Sequence, residues 1–261
     1  MAPTRSAFAA YGLYWVTILS ACTMGETAAD FLSHGPLGLG YALASLILAT
    51  LVVLALLAQH LAKTPSEARY WVTITVMATA GTTIADFLSR TLDIGYFWSS
   101  FGLLGAFLLT LLVGRRRSPS APRAASDSGR AGLAPVRTRP AADARYWAAI
   151  MVASTLGTTL GDFLSNGTEI GFGGGALLLL FLLAVVLLVE ARAEVDNEAR
   201  YWTALVLAST IGATTGDYLT KEEGLNLGYF WGNGLLIAVF VVIAIVGGRA
   251  SPQYGSARAA P

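Results

Sequence analysis

The chain has 261 residues, 55% of them hydrophobic and only 13% charged, with a formal net charge of +1. So little charge cannot cover the surface of an ordinary soluble protein. A single cysteine, Cys22, excludes an intramolecular disulfide.

Eight apolar runs follow one another along the chain, at about 11–32, 37–60, 69–89, 93–114, 145–165, 169–189, 200–220 and 226–248. Each holds about 20 residues or a little more, and at about 1.5 Å of rise per residue that crosses a hydrocarbon core of roughly 30 Å. The pattern predicts an all-α integral membrane protein with eight transmembrane helices. The first run has the look of a signal peptide, but it matches the later runs and is expected to stay in the mature chain.

Basic residues are segregated by loop. The side carrying both termini and the loops after the second, fourth and sixth runs holds 15 of the 17 Lys and Arg, leaving Arg90 and Lys221 on the other. This asymmetry predicts cytoplasmic termini in a bacterial inner membrane.

Self-similarity then organises the runs in pairs. Four copies begin at Tyr14-Trp15, Tyr70-Trp71, Tyr146-Trp147 and Tyr201-Trp202. Eleven residues after each Tyr stands Gly25, Gly81, Gly157 or Gly212, and sixteen after it Asp30, Asp86, Asp162 or Asp217. The second run of each copy is entered through Leu39-Gly40-Tyr41, Ile94-Gly95-Tyr96, Ile170-Gly171-Phe172 or Leu227-Gly228-Tyr229. Two helices per copy keep all four copies in one membrane orientation, a parallel-repeat design. Copies 2 and 4 share Tyr96-Phe97-Trp98 and Tyr229-Phe230-Trp231, which predicts two pseudosymmetric halves, 1–114 and 145–248. The Pro-, Ser-, Ala- and Arg-rich stretch 115–144 is expected to be a disordered cytoplasmic linker, and 249–261 a flexible tail.

With its Tyr-Trp starts and its Gly-Glu-Thr-Ala-Ala-Asp and Gly-Thr-Thr-x-x-Asp segments, the chain resembles a family of bacterial multipass membrane proteins. That family carries four tandem copies of a two-helix repeat of unknown function. The resemblance implies the architecture and brings no activity with it.

Function must be sought in the first helix of each copy. At about 100° per residue, Thr23, Glu26, Thr27 and Asp30 share one stripe about 100° wide. Thr79, Thr82, Thr83 and Asp86 repeat it, as do Thr155, Thr158, Thr159 and Asp162; copy 4 has Thr210, Thr214 and Asp217, with Ala213 interrupting. The glycines and the small residues four later lie on another face, where they let helix backbones approach. A membrane threonine ordinarily bonds its own i−4 carbonyl. A carboxylate in the apolar layer costs about 2.5–3.5 kcal/mol at mid-depth and needs a cavity or a partner. Two readings follow for the aspartates: a shared polar site, or hydrogen bonding of each to the nearby N-terminus of a second helix. Tyr-Trp is expected in the interfacial aromatic belt, and Asp93, Glu169 and Asn226 as N-caps. His34 and His60 lack metal-ligand spacing.

A cluster of Glu26, Asp30, Asp86, Asp162 and Asp217 with Thr27, Thr83, Thr159 and Thr214 suits a hard cation or protons, and a bound divalent cation is the one cofactor it suggests. Like-charged acids in a low dielectric do not all ionise unaided. The leading expectation is a small-cation transporter, such as a proton-coupled exporter of Mn²⁺, whose partners are the bilayer and the ion. A non-transporting assembly protein is the alternative, and an intramembrane lipid-acting enzyme fits less well because the stripes are near-identical. Nothing suggests ATPase, redox or nucleic-acid work, and oligomeric state stays open.

Overall fold

The structure, a computed structural model, describes residues 5–64, 66–115, 140, 142–192 and 198–250. The expected linker at 115–144 lies almost wholly outside these residues. Of the expected tail, Arg249 and Ala250 instead close the last helix.

Eight helices and no strand occur among the described residues: α1 Arg5–Ser33, α2 Tyr41–Leu61, α3 Glu67–Asp86, α4 Tyr96–Arg115, α5 Ala144–Asn166, α6 Gly171–Arg192, α7 Glu198–Thr220 and α8 Gly228–Ala250. A single π-helical turn, Phe87–Thr91, extends α3. The four odd helices form a closed ring: α1 packs on α3, α3 on α5, α5 on α7, and α7 back on α1. Each even helix packs chiefly on the odd helix of the next copy, α2 on α3, α4 on α5, α6 on α7 and α8 on α1. The last copy therefore clasps the first.

The glycines explain how the ring closes. A Cβ on Gly25 would lie 2.7 Å from the Ala78 Cβ, and one on Gly81 2.7 Å from the Ser154 Cβ, with the facing backbone at 2.9 Å in both cases. Gly157 meets Ser209 and Gly212 meets Cys22 in the same way. One head-to-tail contact repeated four times makes a ring rather than a row. Lipid offers no hydrophobic incentive for helices to associate, so this close approach is the main source of packing energy.

The two layers meet different surroundings. The even helices present Leu46, Phe101, Leu177 and Trp231 at 65% to 74% exposure, among many other large apolar side chains. In water that surface would aggregate; in a bilayer it is the outer face of an all-α membrane protein. Among the described residues, five helices, α2, α3 with its π turn, α4, α5 and α6, are long and apolar enough to cross a membrane. The eight helices of the all-α membrane architecture read from the sequence are all present among the described residues.

Two local expectations change. Tyr70, Tyr146 and Tyr201 are buried in the ring, as are Trp15, Trp147 and Trp202, so the Tyr-Trp pairs do not form a headgroup belt. The exposed Phe97-Trp98 and Phe230-Trp231 pairs have that outward character. Asp93 and Asn226 are not N-caps: their φ values of 55° and 50° are left-handed, a region that Asp and Asn tolerate and that turns the chain into Gly95 (φ 76°) and Gly228 (φ 68°). Glu169 lies in the turn before α6.

Candidate functional site

Because the odd helices run in parallel, equal positions of the four copies form layers along the ring axis. At one end the four tyrosine hydroxyls close a hydrogen-bonded circle: Tyr14 to Tyr70 at 3.0 Å, Tyr70 to Tyr146 at 2.5 Å, Tyr146 to Tyr201 at 2.9 Å, and Tyr201 to Tyr14 at 2.8 Å. One turn further on, Ile18, Ile74, Ile150 and Leu205 are all buried. A closed circle of hydroxyls backed by branched aliphatic side chains is a dry, uncharged seal.

Beyond the seal the ring becomes polar. Cys22, Ala78, Ser154 and Ser209, with Glu26, Thr82 and Thr158, line a cavity of about 10 Å³, near the lower limit for one water. Glu26 is 3% exposed, and its Oε2 accepts hydrogen bonds from the Thr82 hydroxyl at 2.8 Å and the Thr158 hydroxyl at 3.1 Å. Ala213 holds the fourth place in this layer. The hydroxyls of Thr27, Thr83, Thr159 and Thr214, one residue further along, are buried but bond to carbonyls of their own helices. Thr27 also donates to Asn233 Oδ1 of α8 at 2.9 Å. Within the polar stripe, then, Thr82 and Thr158 face the acid and the Thr27 set serves the helix walls.

About one turn on, Asp30, Asp86, Asp162 and Asp217 are each 4% exposed or less. Their partners are side chains of the odd helices and the residues just beyond them, not the N-termini of the even helices. Arg90 Nε contacts Asp86 Oδ1 at 2.8 Å, and the same guanidinium reaches Asp162 Oδ2 at 3.8 Å. Lys221 Nζ lies 2.5 Å from Asp217 Oδ1 and 3.6 Å from Asp30 Oδ2. Asn166 Nδ2 donates to Asp162 Oδ1 at 3.5 Å, and His34 Nδ1 stands 3.6 Å from Asp30 Oδ1. His34, Arg90, Asn166 and Lys221 are thus the same position of the four copies, each four residues after its aspartate. Sequence reasoning treated Arg90 and Lys221 only as loop charges, although their i, i+4 spacing from an aspartate was the signal that could have found them.

Two groups lie outside the spanning segments and carry clear electrostatic signatures. Burial alone would lower the Lys221 pKa, but Asp217, then Asp30, Asp162 and Glu26, hold it well above its ordinary value. His34 is pushed down to about 4, first by burial and then by repulsion from Lys221 and Arg90, despite the nearby Asp30. Lys221 is therefore a cation at every working pH and His34 is neutral near pH 7. Five buried carboxyl groups face two permanent positive charges.

The model of one family, a Repeat of Unknown Function (DUF347), matches residues 13–64, 69–118, 145–196 and 200–250. The chain belongs to this family. The four DUF347 matches coincide with the four copies that build the ring, each supplying one inner helix and one outer helix. No curated protein and no solved structure matches the chain. What these DUF347 repeats do is therefore argued from the layers just described. Glu26, Asp30 and Asp217 converge most closely, each offering an oxygen such that all three lie within 4.8 Å of one another. Asp86 and Asp162 form a second group around Arg90.

Proposed function

We propose that this protein binds a small hard cation inside the odd-helix ring and carries it across a bacterial cytoplasmic membrane, with both termini on the cytoplasmic side. Proton-coupled export of a divalent metal such as Mn²⁺ is the form of this activity that the chemistry favours. The observation that carries the reading is the charge deficit: among the described residues, five buried carboxyl groups meet two permanent cations, Arg90 and Lys221. Acids so placed must share protons or bind a cation, and exchange between the two is the basis of coupled transport. The tyrosine and isoleucine layers support it, because a transporter needs one end of its pathway shut while the other is open. The oxygen-only donor set suits hard ions.

A structural role is the competing reading, and the placement of Arg90 between Asp86 and Asp162 and of Lys221 between Asp217 and Asp30 favours it, since each cation ties neighbouring copies together without any ligand. Thermal unfolding of the purified protein with Mn²⁺, Ca²⁺ or Mg²⁺ separates the two. A ligand that binds only the folded state raises apparent stability by RT ln(1 + [L]/Kd), about 2.7 kcal/mol at a hundred-fold excess over Kd. Metal-dependent stabilisation together with cation flux into liposomes is expected. A melting curve indifferent to every cation and to pH sinks the transport reading.

A further inference from the structure

The two basic side chains of the aspartate layer are held very differently. The Arg90 guanidinium lies between the rings of Tyr41 and Tyr96, at 5.9 and 5.6 Å from their centroids, and meets Asp86 along its Nε. A planar, always-charged fork between two rings is a fixed fitting. Lys221 is an ammonium on a flexible stem, just past the end of α7, with one ring, Phe172, 5.5 Å from its Nζ. The oxygens it reaches, Asp217 Oδ1 at 2.5 Å and Asp30 Oδ2 at 3.6 Å, are buried and are answered by its ammonium.

Glu26 adds a third acid on this side of the ring. Its partners among the described residues are the hydroxyls of Thr82 and Thr158. Three oxygens no more than 4.8 Å apart share a point within about 2.8 Å of them all, so at most a slight contraction brings them to the roughly 2.3–2.6 Å of calcium-sized coordination. The ammonium of Lys221 stands at the edge of that position.

We infer that Lys221 is a tethered counter-cation: it guards the Glu26–Asp30–Asp217 position when no metal is bound, and a divalent cation enters by displacing it. This rests on the cation-binding reading above and specifies its ligand and its competitor. Charge decides the class of ion. Three carboxylates with Lys221 retain two negative charges. A monovalent ion in its place retains the same two and gains nothing, whereas a divalent ion retains one. Lys221 leaves by competition, swinging outward on its stem. Arg90 stays, holding Asp86 and Asp162 as a fixed wall.

Mn²⁺ titration of the full chain in detergent, followed by thermal unfolding, tests this. Lys221→Gln should bind Mn²⁺ about ten-fold more tightly than the native protein, since a competing charge has gone. Arg90→Gln should alter the affinity much less. A Lys221→Gln protein that folds and binds Mn²⁺ no better than native, or worse, overturns the tethered-cation inference while leaving cation binding intact. A native protein that responds to no divalent ion overturns the binding reading itself. If Lys221→Gln does not fold, the native protein still decides. The chain's other lysine, Lys63, serves as the internal reference for acylation by an amine-reactive ester, read by mass spectrometry. Mn²⁺ should accelerate modification of Lys221 relative to Lys63, because the displaced ammonium loses its carboxylates. An unchanged or slower rate refutes displacement.

Discussion

The two ends of the odd-helix ring solve the same fourfold geometry in opposite ways. At one end four tyrosines occupy equivalent places and share a closed circle of hydroxyl hydrogen bonds. At the other, four aspartates occupy equivalent places, but the residues that answer them, His34, Arg90, Asn166 and Lys221, differ in every copy. A neutral donor-acceptor group can be repeated without penalty, because each hydroxyl gives one bond and takes one. A charge repeated four times around an axis repels itself, and four added cations would only turn an acidic ring into a locked salt-bridge ring. Two cations, one neutral imidazole and one amide leave the layer short of positive charge. Symmetry supplies the frame, and departure from symmetry supplies the chemistry.

The largest effect expected is loss of the frame itself. In Gly81→Val the new Cβ alone would sit 2.7 Å from the Ser154 Cβ and 2.9 Å from the Thr155 backbone nitrogen, so α3 and α5 must separate. About 3 kcal/mol or outright failure to assemble should follow, and both ends of the ring should fail together in a detergent melt. A variant with native stability would mean that the glycine contacts do not hold the ring.

Glu26→Gln acts at the charged end alone. It keeps the size of the side chain and the bonds from Thr82 and Thr158 while removing one buried negative charge. Stability without metal should be equal or higher, and most of the Mn²⁺-induced stabilisation should vanish. Thr158→Val removes one donor to the same acid and should reduce that stabilisation by about 1 kcal/mol or less. If both variants respond to metal as the native chain does, the ion does not use Glu26.

The contrast between the ends also marks what the residues alone could reveal. The repeats, the helical runs, the packing role of Gly25, Gly81, Gly157 and Gly212 and the burial of the four aspartates were all legible, because small residues and intramembrane acids have few uses. The tyrosine circle was not, since an aromatic at a helix end suits a headgroup belt equally well until the ring is seen to close. Nor could a stripe about 100° wide say which threonine faces the axis: Thr82 and Thr83 are neighbours, and only one of them meets Glu26. Arg90 and Lys221 were hidden because the apolar runs 69–89 and 200–220 end just before them, which made both positions look like loop. The clasp of each even helix on the following copy leaves no local signal at all.

A smaller effect is expected at the sealed end. Tyr146→Phe removes a hydroxyl that bonds both Tyr70 and Tyr201, yet leaves its ring packed against Trp147 and Trp202. The cost should be about 1–2 kcal/mol, with Mn²⁺ affinity unchanged and a measurable rise in passive cation leak through liposomes. A change in affinity without leak would join the two ends electrostatically and erase the distinction drawn between them.

The smallest effect belongs to His34, the neutral member of the charged end. Its Nε2 lies 2.9 Å from the Tyr229 hydroxyl, and its Nδ1 lies 3.3 Å from the Ser33 hydroxyl, 3.4 Å from that of Tyr41 and 3.6 Å from Asp30. Burial, then Lys221 and Arg90, lower its pKa to about 4, below the 6.5 of a free imidazole. Between those values the unfolded chain binds a proton that the folded chain refuses, so stability should rise with pH across that window and fall as pH drops through it. The group is about half-buried, which keeps the slope shallow. His34→Gln retains a polar side chain, cannot titrate, and should flatten the dependence of unfolding temperature on pH between about 4 and 6.5. Should the native slope persist in that variant, the acids of the ring own the titration, and the imidazole is only a hydrogen-bonding post between α1 and α8.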